Sequence, residues 1–313
     1  MLLMLVLLCG CTQGGQESSQ TRLLLDTVAT ITADCDEETL NGAFALCEEL
    51  ENRFSRTKKE SEVYRLNKTA GYTPVSADVA TVVRRALFYS EQTAGRFDIT
   101  IAPVSMLWDF ENQVIPSKDE IAAALPNVDY HSISFSGEQI NLGGKQIDLG
   151  AIAKGYIADR VIAYFEEKGV EKALVNLGGN IALRGEYTVG IRKPMEESVM
   201  LVVHLADKSA VTAGIDQRCI RAGDRLYHHI LDPKTGYGVE NELASVTVIG
   251  ACSMDCDALS TCCMLLGTEE GVHLIENTAD TEAVFISREG KVTLTAGLYR
   301  ENDTIIMKEE KRS

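Results

Sequence analysis

The chain has 313 residues, 45% of them hydrophobic and 6% aromatic, enough apolar material to bury a substantial core. Its 30 basic residues face 46 acidic ones, and the resulting net charge of -16 excludes nucleic acid as a bulk partner. A chain this acidic that handles an anionic ligand must concentrate positive charge locally, through a few Lys or Arg, backbone amides or a metal ion.

Met1 to Gly10 is almost wholly apolar and is followed by Cys11 and a polar run from Thr12 to Gln20. The string Leu8-Cys9-Gly10-Cys11 resembles the bacterial lipobox, in which the last cysteine becomes the lipidated first residue. The apolar stretch is too short to span a bilayer as a mature helix. The expectation is a signal peptide over 1–10, a lipidated Cys11 with a flexible leader over 11–21, and an extracytoplasmic protein lipid-anchored to the bacterial cell membrane. No Lys or Arg precedes the apolar run, the one departure from such a leader.

Residues 23–32 are rich in β-branched side chains and predict a strand. An amphipathic helix follows over 36–53, with Leu40, Phe44, Cys47 and Leu50 on its apolar face. A loop begins at Phe54, residues 61–67 form a short helical turn, and another helix spans 77–93 before Gly95. Pro116 and Pro126 flank a short helix with Ser117 as N-cap and Asp119 and Glu120 in its first turn. A hairpin is expected around Ser136-Gly137, then a helix over 151–168 closed by Gly169. Strands are predicted at 172–177, 181–184, 187–192, 200–206, 209–214, 218–222, 243–250, 283–287 and 291–295. The remaining helices fall at 253–266, with Ser253 as N-cap, and at 268–278. Strands cluster rather than alternate with helices, which favours an α+β fold of mixed, largely antiparallel sheets in one large domain with two lobes, over 22–300. The charged segment 301–313 reads as a fraying tail. Setting aside Cys9 and Cys11, seven cysteines remain, an odd number without zinc-type spacing; most read as small core hydrophobes.

Four constellations can carry chemistry. The string Gly95-Arg96-Phe97-Asp98, leading to Leu107-Trp108, either clamps a flat heterocycle or turns into a core segment. Asn176-Leu177-Gly178-Gly179-Asn180 either lets backbone amides approach a ligand or makes a plain hairpin turn. In Tyr227-His228-His229 the paired histidines point to opposite faces of a strand, so at most one serves a given site, and His229 is the better acid/base candidate. Asp257 and Thr261 lie four residues apart on one helix face, where the carboxylate and hydroxyl either ligate a hard cation or the carboxylate is held by a backbone amide or an ion pair.

Taken in order, these strings resemble the FAD:protein FMN transferase (ApbE-type flavin transferase) family. The matching segments are Gly95-x-Phe97-Asp98-x-Thr100-x-x-Pro103 with Leu107-Trp108, Asp148 to Tyr156 with Asp159, Asn176 to Asn180, His229 to Gly236, Ser245 to Val248, and Asp257 to Thr261. The resemblance implies a magnesium-dependent reaction moving FMN from FAD to a threonine hydroxyl of an acceptor protein, with release of AMP. It implies Mg2+ ligation by Asp257, Thr261 and the backbone oxygen of Ala151. Leu25, Arg96, Phe97, Asp98, Asp148, Lys154 and Val239 fall at FAD-contacting positions, and His229 lies near the phosphates. His229 and Asp257 are the catalytic candidates; either of them, or a metal-bound water, could take the acceptor's proton. The implied acceptor is a membrane-associated electron-transfer protein with an Asp-x-x-Ser-Gly-Ala-Thr-type motif. Three positions depart from the pattern: Leu25-Asp26-Thr27 replaces Met-Gly-Thr, Thr57 stands where some relatives have tyrosine, and Gly238 stands where proline is usual. Two other readings use the same residues: a Mg2+-dependent FAD pyrophosphatase, and a flavin-binding lipoprotein without chemistry.

Overall fold

The computed structural model describes residues 17–308. Its centre is an eight-stranded sheet, antiparallel throughout, in the order Glu17–Leu24, Thr27–Asp34, Ala173–Leu177, Asn180–Arg184, Ser209–Gly214, Leu243–Gly250, Glu282–Ser287 and Val292–Leu294. Successive side chains on a strand face opposite ways. Val175 and Val248 therefore join the core under the helices, while their neighbours Leu174 and Ile249 join a second core on the other face.

The helices are α1 (Glu37–Phe54), α2 (Glu62–Leu66), α3 (Ala77–Gln92), α4 (Ala102–Ser105), α5 (Lys118–Ala124), α6 (Ala153–Glu167), α7 (Ser253–Leu266) and α8 (Thr268–Glu276). Residues of α1, α3, α6 and α7 fill the larger core. The opposite face is covered by a four-stranded sheet ordered Leu298–Glu301, Thr304–Met307, Val199–Ala206 and Glu186–Arg192. Its single parallel pair joins Thr304–Met307 to Val199–Ala206. A satellite cluster gathers Val104 of α4, Ile121 of α5, Trp108 and Leu231. The α+β class and the largely antiparallel pairing agree with the sequence reading, and the two cores share one sheet within a single domain.

Local signals explain four of the eight helix starts among the described residues. Asp36, Ser61, Ser76 and Ser117 each accept a backbone N–H of the following turn, and Ser117 completes a capping box with Glu120. Helix α7 is different. It is buried nearly all round, including Ala258, Leu259, Cys262 and Cys263, as expected of a core helix rather than a surface one. Its first residue Ser253 is not the N-cap that its type suggests. The Ser253 hydroxyl instead donates to Asn180 Oδ1 at 2.7 Å, and Asp159 of α6 accepts the Ser253 and Met254 amides at 2.7 and 2.9 Å. At the other end Asn241 and Arg96 donate to the Met264 and Leu265 carbonyls. Every free terminus of α7 is thus held by residues distant in sequence.

Other expectations are corrected. The strand read over 23–32 is a hairpin, because Leu25 and Asp26 both adopt positive φ (56° and 54°) and turn the chain back with Leu24 opposite Thr27. Residues 17–21 of the expected leader belong to the edge strand of this hairpin. The charged tail does not fray at Glu301: Thr304–Met307 pairs with both neighbours in the smaller sheet. A strand not expected from the sequence, Arg225–His228, forms a two-stranded arm with Cys219–Ala222. The seven described cysteines are free, and Cys47, Cys256, Cys262 and Cys263 are buried as small hydrophobes, their thiols pushed up by desolvation. The signal peptide and Cys11 lie outside the described residues. Among the described residues, no helix is long and apolar enough to cross a membrane.

Candidate active site

The site begins where α6 crosses α7. Gly155 makes the crossing possible: a Cβ there would lie 2.3 Å from the Ser253 carbonyl oxygen and 2.6 Å from Met254 Cα. With no side chain between them, the Gly155 amide donates to Asp257 Oδ2 at 2.9 Å. Asp257 is only 5% exposed. Among the described residues, that amide is its one side-chain partner, and no Lys, Arg or His pairs with it. Thr261 follows one helical turn later and keeps partial exposure, and Ala151 lies in the turn that enters α6. Among the described residues no three His, Cys, Asp or Glu side chains converge. A cation here would be held by a mixed set of carboxylate, hydroxyl and carbonyl oxygens, which suits a hard ion.

The turn before α6 carries the next group. Asp148 accepts from Arg56 Nε at 3.0 Å, from the Ser105 hydroxyl at 2.9 Å and from the Gly150 amide at 3.0 Å. Lys154 folds back to donate to the Gly150 carbonyl at 3.1 Å. Arg56, adjacent to the exposed Thr57, was not singled out by any motif; its partner lies far along the chain.

His229 stands at the end of the two-stranded arm. Its amide donates to the Arg218 carbonyl at 3.1 Å, and its Nδ1 lies 3.3 Å from the same oxygen. A carbonyl only accepts, so Nδ1 carries the proton and Nε2 keeps its lone pair. Desolvation first, then the charges of Arg218, His228 and Lys154, push the imidazole down to about 3. The ring still keeps partial contact with solvent, so the direction rather than the depth matters: it is neutral at neutral pH. Arg218 also donates to the Asp26 carbonyl at 3.1 Å, tying the Leu25-Asp26 turn to this histidine. Leucine at positive φ is unusual, whereas aspartate tolerates it, which accounts for a glycine-free version of this turn.

His228 faces the other way, as expected for adjacent strand residues. It is 2% exposed and its Nε2 donates to the Val239 carbonyl at 3.0 Å. A Cβ on Gly238 would sit 2.9 Å from the His228 carbonyl oxygen and 3.0 Å from the ring. Gly238 therefore makes room for His228, the physical reason a proline cannot stand there in this chain. Val239 itself is buried at 5% exposure.

Both histidines have folded pKa values below the ordinary 6.5, His228 chiefly through desolvation. The unfolded chain therefore binds protons more readily, and their contribution to stability is present above about pH 6.5 and lost as pH falls toward the folded values. Urea midpoints should decline between pH 6.5 and 4. A His228→Gln/His229→Gln variant should decline less steeply; an unchanged slope would exclude these groups as the cause.

The Gly95–Asp98 segment is more committed to structure than its motif suggests. Phe97 is 3% exposed within the main core. Asp98 accepts from the Thr100 amide and hydroxyl at 2.7 and 2.6 Å and from the Tyr130 amide at 3.1 Å, with burial pushing its carboxyl up. Arg96 reaches the end of α7. Any contact these three make with a ligand would draw on backbone groups and ring or guanidinium edges. Trp108 is buried against Phe110, Tyr227 and Tyr237, with its indole N–H on the Gly236 carbonyl at 3.0 Å, so it stabilises the His229–Gly236 turn rather than standing open as a clamp. Gly178 has φ of 69°, and a Cβ there would meet Thr27 Oγ1 at 2.1 Å, so the Gly-Gly turn is held against the Leu25 hairpin. A surface cleft of about 430 Å³ near Glu276, Asp280 and Glu282 shares no residue with this site, and its acidic lining would repel an anion.

Residues 25–285 match the ApbE family. The FAD:protein FMN transferase of Klebsiella pneumoniae (strain 342) is 35% identical over 83% of this chain and 86% of its own length. That of Treponema pallidum (strain Nichols) is 30% identical over 93% and 90%. The ApbE protein of Thermotoga maritima superposes with a TM-score of 0.83 at 25% identity, covering 90% of this chain and 97% of that one. The flavin transferase ApbE of Vibrio cholerae superposes at 0.81 with 27% identity and the same coverage. From the match across its sheet, its helices and the segments that carry the site, the chain belongs to the ApbE family and is an enzyme of the transferase class.

Proposed function

We propose that the protein is a Mg2+-dependent FAD:protein FMN transferase that moves FMN from FAD to a threonine hydroxyl of an acceptor protein and releases AMP. The activity for which the relatives are named supports the transfer of FMN. The observation that carries the metal dependence is Asp257, a carboxylate 5% exposed with one amide as its side-chain partner among the described residues. Burying a carboxylate without a counter-charge is costly, and a bound cation removes that cost. Asp257, Thr261 and the Ala151 carbonyl would hold Mg2+, which when bound supplies charge neutralisation to pyrophosphate oxygens and polarises the phosphorus.

The chain's own residues do the rest. The threonine oxygen forms a bond to the phosphorus next to riboflavin, and the bond from that phosphorus to the bridging oxygen breaks, its electrons leaving with AMP. The threonine proton is taken by the lone pair on His229 Nε2 or by Asp257. Lys154 adds positive charge beside the phosphates in an otherwise acidic protein. The Leu25 turn, held by Arg218, and Asp148, held by Arg56, border the ligand. The segment Leu8-Cys9-Gly10-Cys11 supports lipid attachment at Cys11 and an extracytoplasmic, membrane-held location, where a membrane electron-transfer acceptor would be within reach.

Incubation with FAD, Mg2+ and a peptide of the Asp-x-x-Ser-Gly-Ala-Thr type should add the mass of FMN to the peptide threonine and release AMP. FMN and AMP free in solution with an unmodified peptide would make the enzyme a pyrophosphatase instead.

A further inference from the structure

Arg218 precedes the strand Cys219–Ala222 and stands opposite His229, one step beyond the Cys219–His228 pair. Its guanidinium is exposed and donates one bond, to the Asp26 carbonyl. Lys154 likewise donates to a backbone carbonyl, that of Gly150. Among the described residues neither cation forms an ion pair. Three carboxylates near them are engaged elsewhere, Asp216 with Arg192 at 2.6 Å, Asp148 with Arg56 at 3.0 Å and Glu51 with Lys58 at 3.0 Å, and Arg218 meets Asp26 through its carbonyl rather than its carboxylate. Both cations also disfavour protonation of His229. In a protein of net charge -16, an exposed guanidinium without an ion pair, in register with His229 and held against the Leu25 turn, offers an anion site.

We propose that Arg218 binds a phosphate of the dinucleotide, with Lys154 at the start of α6 as a second cation. The inference rests on the FAD-binding part of the reading above and adds a residue to it. A guanidinium offers several N–H donors in a fixed fork, so the one bond to Asp26 leaves others for phosphate oxygens. That bond also orients the fork, and links phosphate binding to the turn that carries Leu25.

The test is calorimetric titration of the full chain with ADP and, separately, with riboflavin, both in Mg2+. Arg218→Gln should weaken ADP binding by about tenfold or more, flatten its salt dependence and leave riboflavin affinity unchanged. Arg218→Lys should recover part of the ADP affinity. Unchanged ADP affinity in Arg218→Gln would overturn the proposal. So would equal loss for ADP and riboflavin, because Arg218 would then act only by holding the Leu25 turn. Wild-type binding of ADP without any FMN transfer, still lost in Arg218→Gln, would support Arg218 as a phosphate ligand while removing the transferase reading.

Discussion

Asp257→Asn should lower FMN transfer by about three orders of magnitude, because the residue supplies the only formal charge in the proposed ligand set. The substitution is nearly isosteric, and the asparagine oxygen can still accept the Gly155 amide that Asp257 accepts at 2.9 Å. Folding should therefore survive. In the absence of Mg2+ the variant should be at least as stable as the wild type, since a buried carboxylate without counter-charge is removed. Added Mg2+ should raise the wild-type Tm and leave the variant's unmoved, as ligand linkage requires. Thermal scans with and without Mg2+, paired with peptide mass measurements, read both effects. A variant that keeps its Mg2+-dependent Tm shift and near-normal transfer would refute the assignment.

The second large effect lies at the helix crossing. Gly155→Ala puts a methyl group 2.3 Å from the Ser253 carbonyl oxygen, 2.6 Å from Met254 Cα and 2.7 Å from the Ser253 carbonyl carbon. These are backbone atoms of a buried helix and cannot swing aside as a flexible side chain would. Helices α6 and α7 must separate, at a cost of about 3 kcal/mol. Separation also takes the Gly155 amide away from Asp257 and shifts the capping of α7 by Asp159. Urea unfolding should show the lost stability, and transfer activity should fall even where the variant remains folded. Gly155→Ala with wild-type stability and activity would mean that the two helices do not approach this closely.

At the starts of α1, α2, α3 and α5 the chain's local signals are sufficient. Each of the caps Asp36, Ser61, Ser76 and Ser117 acts on amides within its own next turn, so the information needed is contained in a few consecutive residues. The same holds for the helix face shared by Asp257 and Thr261 and for the opposed histidines, which follow from helical and strand periodicity alone. The Leu25-Asp26 turn failed that test because an apolar run without glycine or asparagine reads as continuous strand. Only pairing of Glu17–Leu24 with Thr27–Asp34 shows the reversal.

By itself the sequence determined the fold class, most elements, the family strings and the candidate ligands. The tertiary structure alone decided which groups complete them: Asp159 rather than Ser253 on the end of α7, Arg56 on Asp148, Arg218 between Asp26 and His229, and Gly238 yielding space to His228. The reason is range. Caps and periodicities act over one helical turn or two strand residues, whereas these partners lie ten or more residues apart, up to 192 for Arg218 and Asp26. Nothing in either local segment encodes a contact that exists only once the sheet and helices have packed.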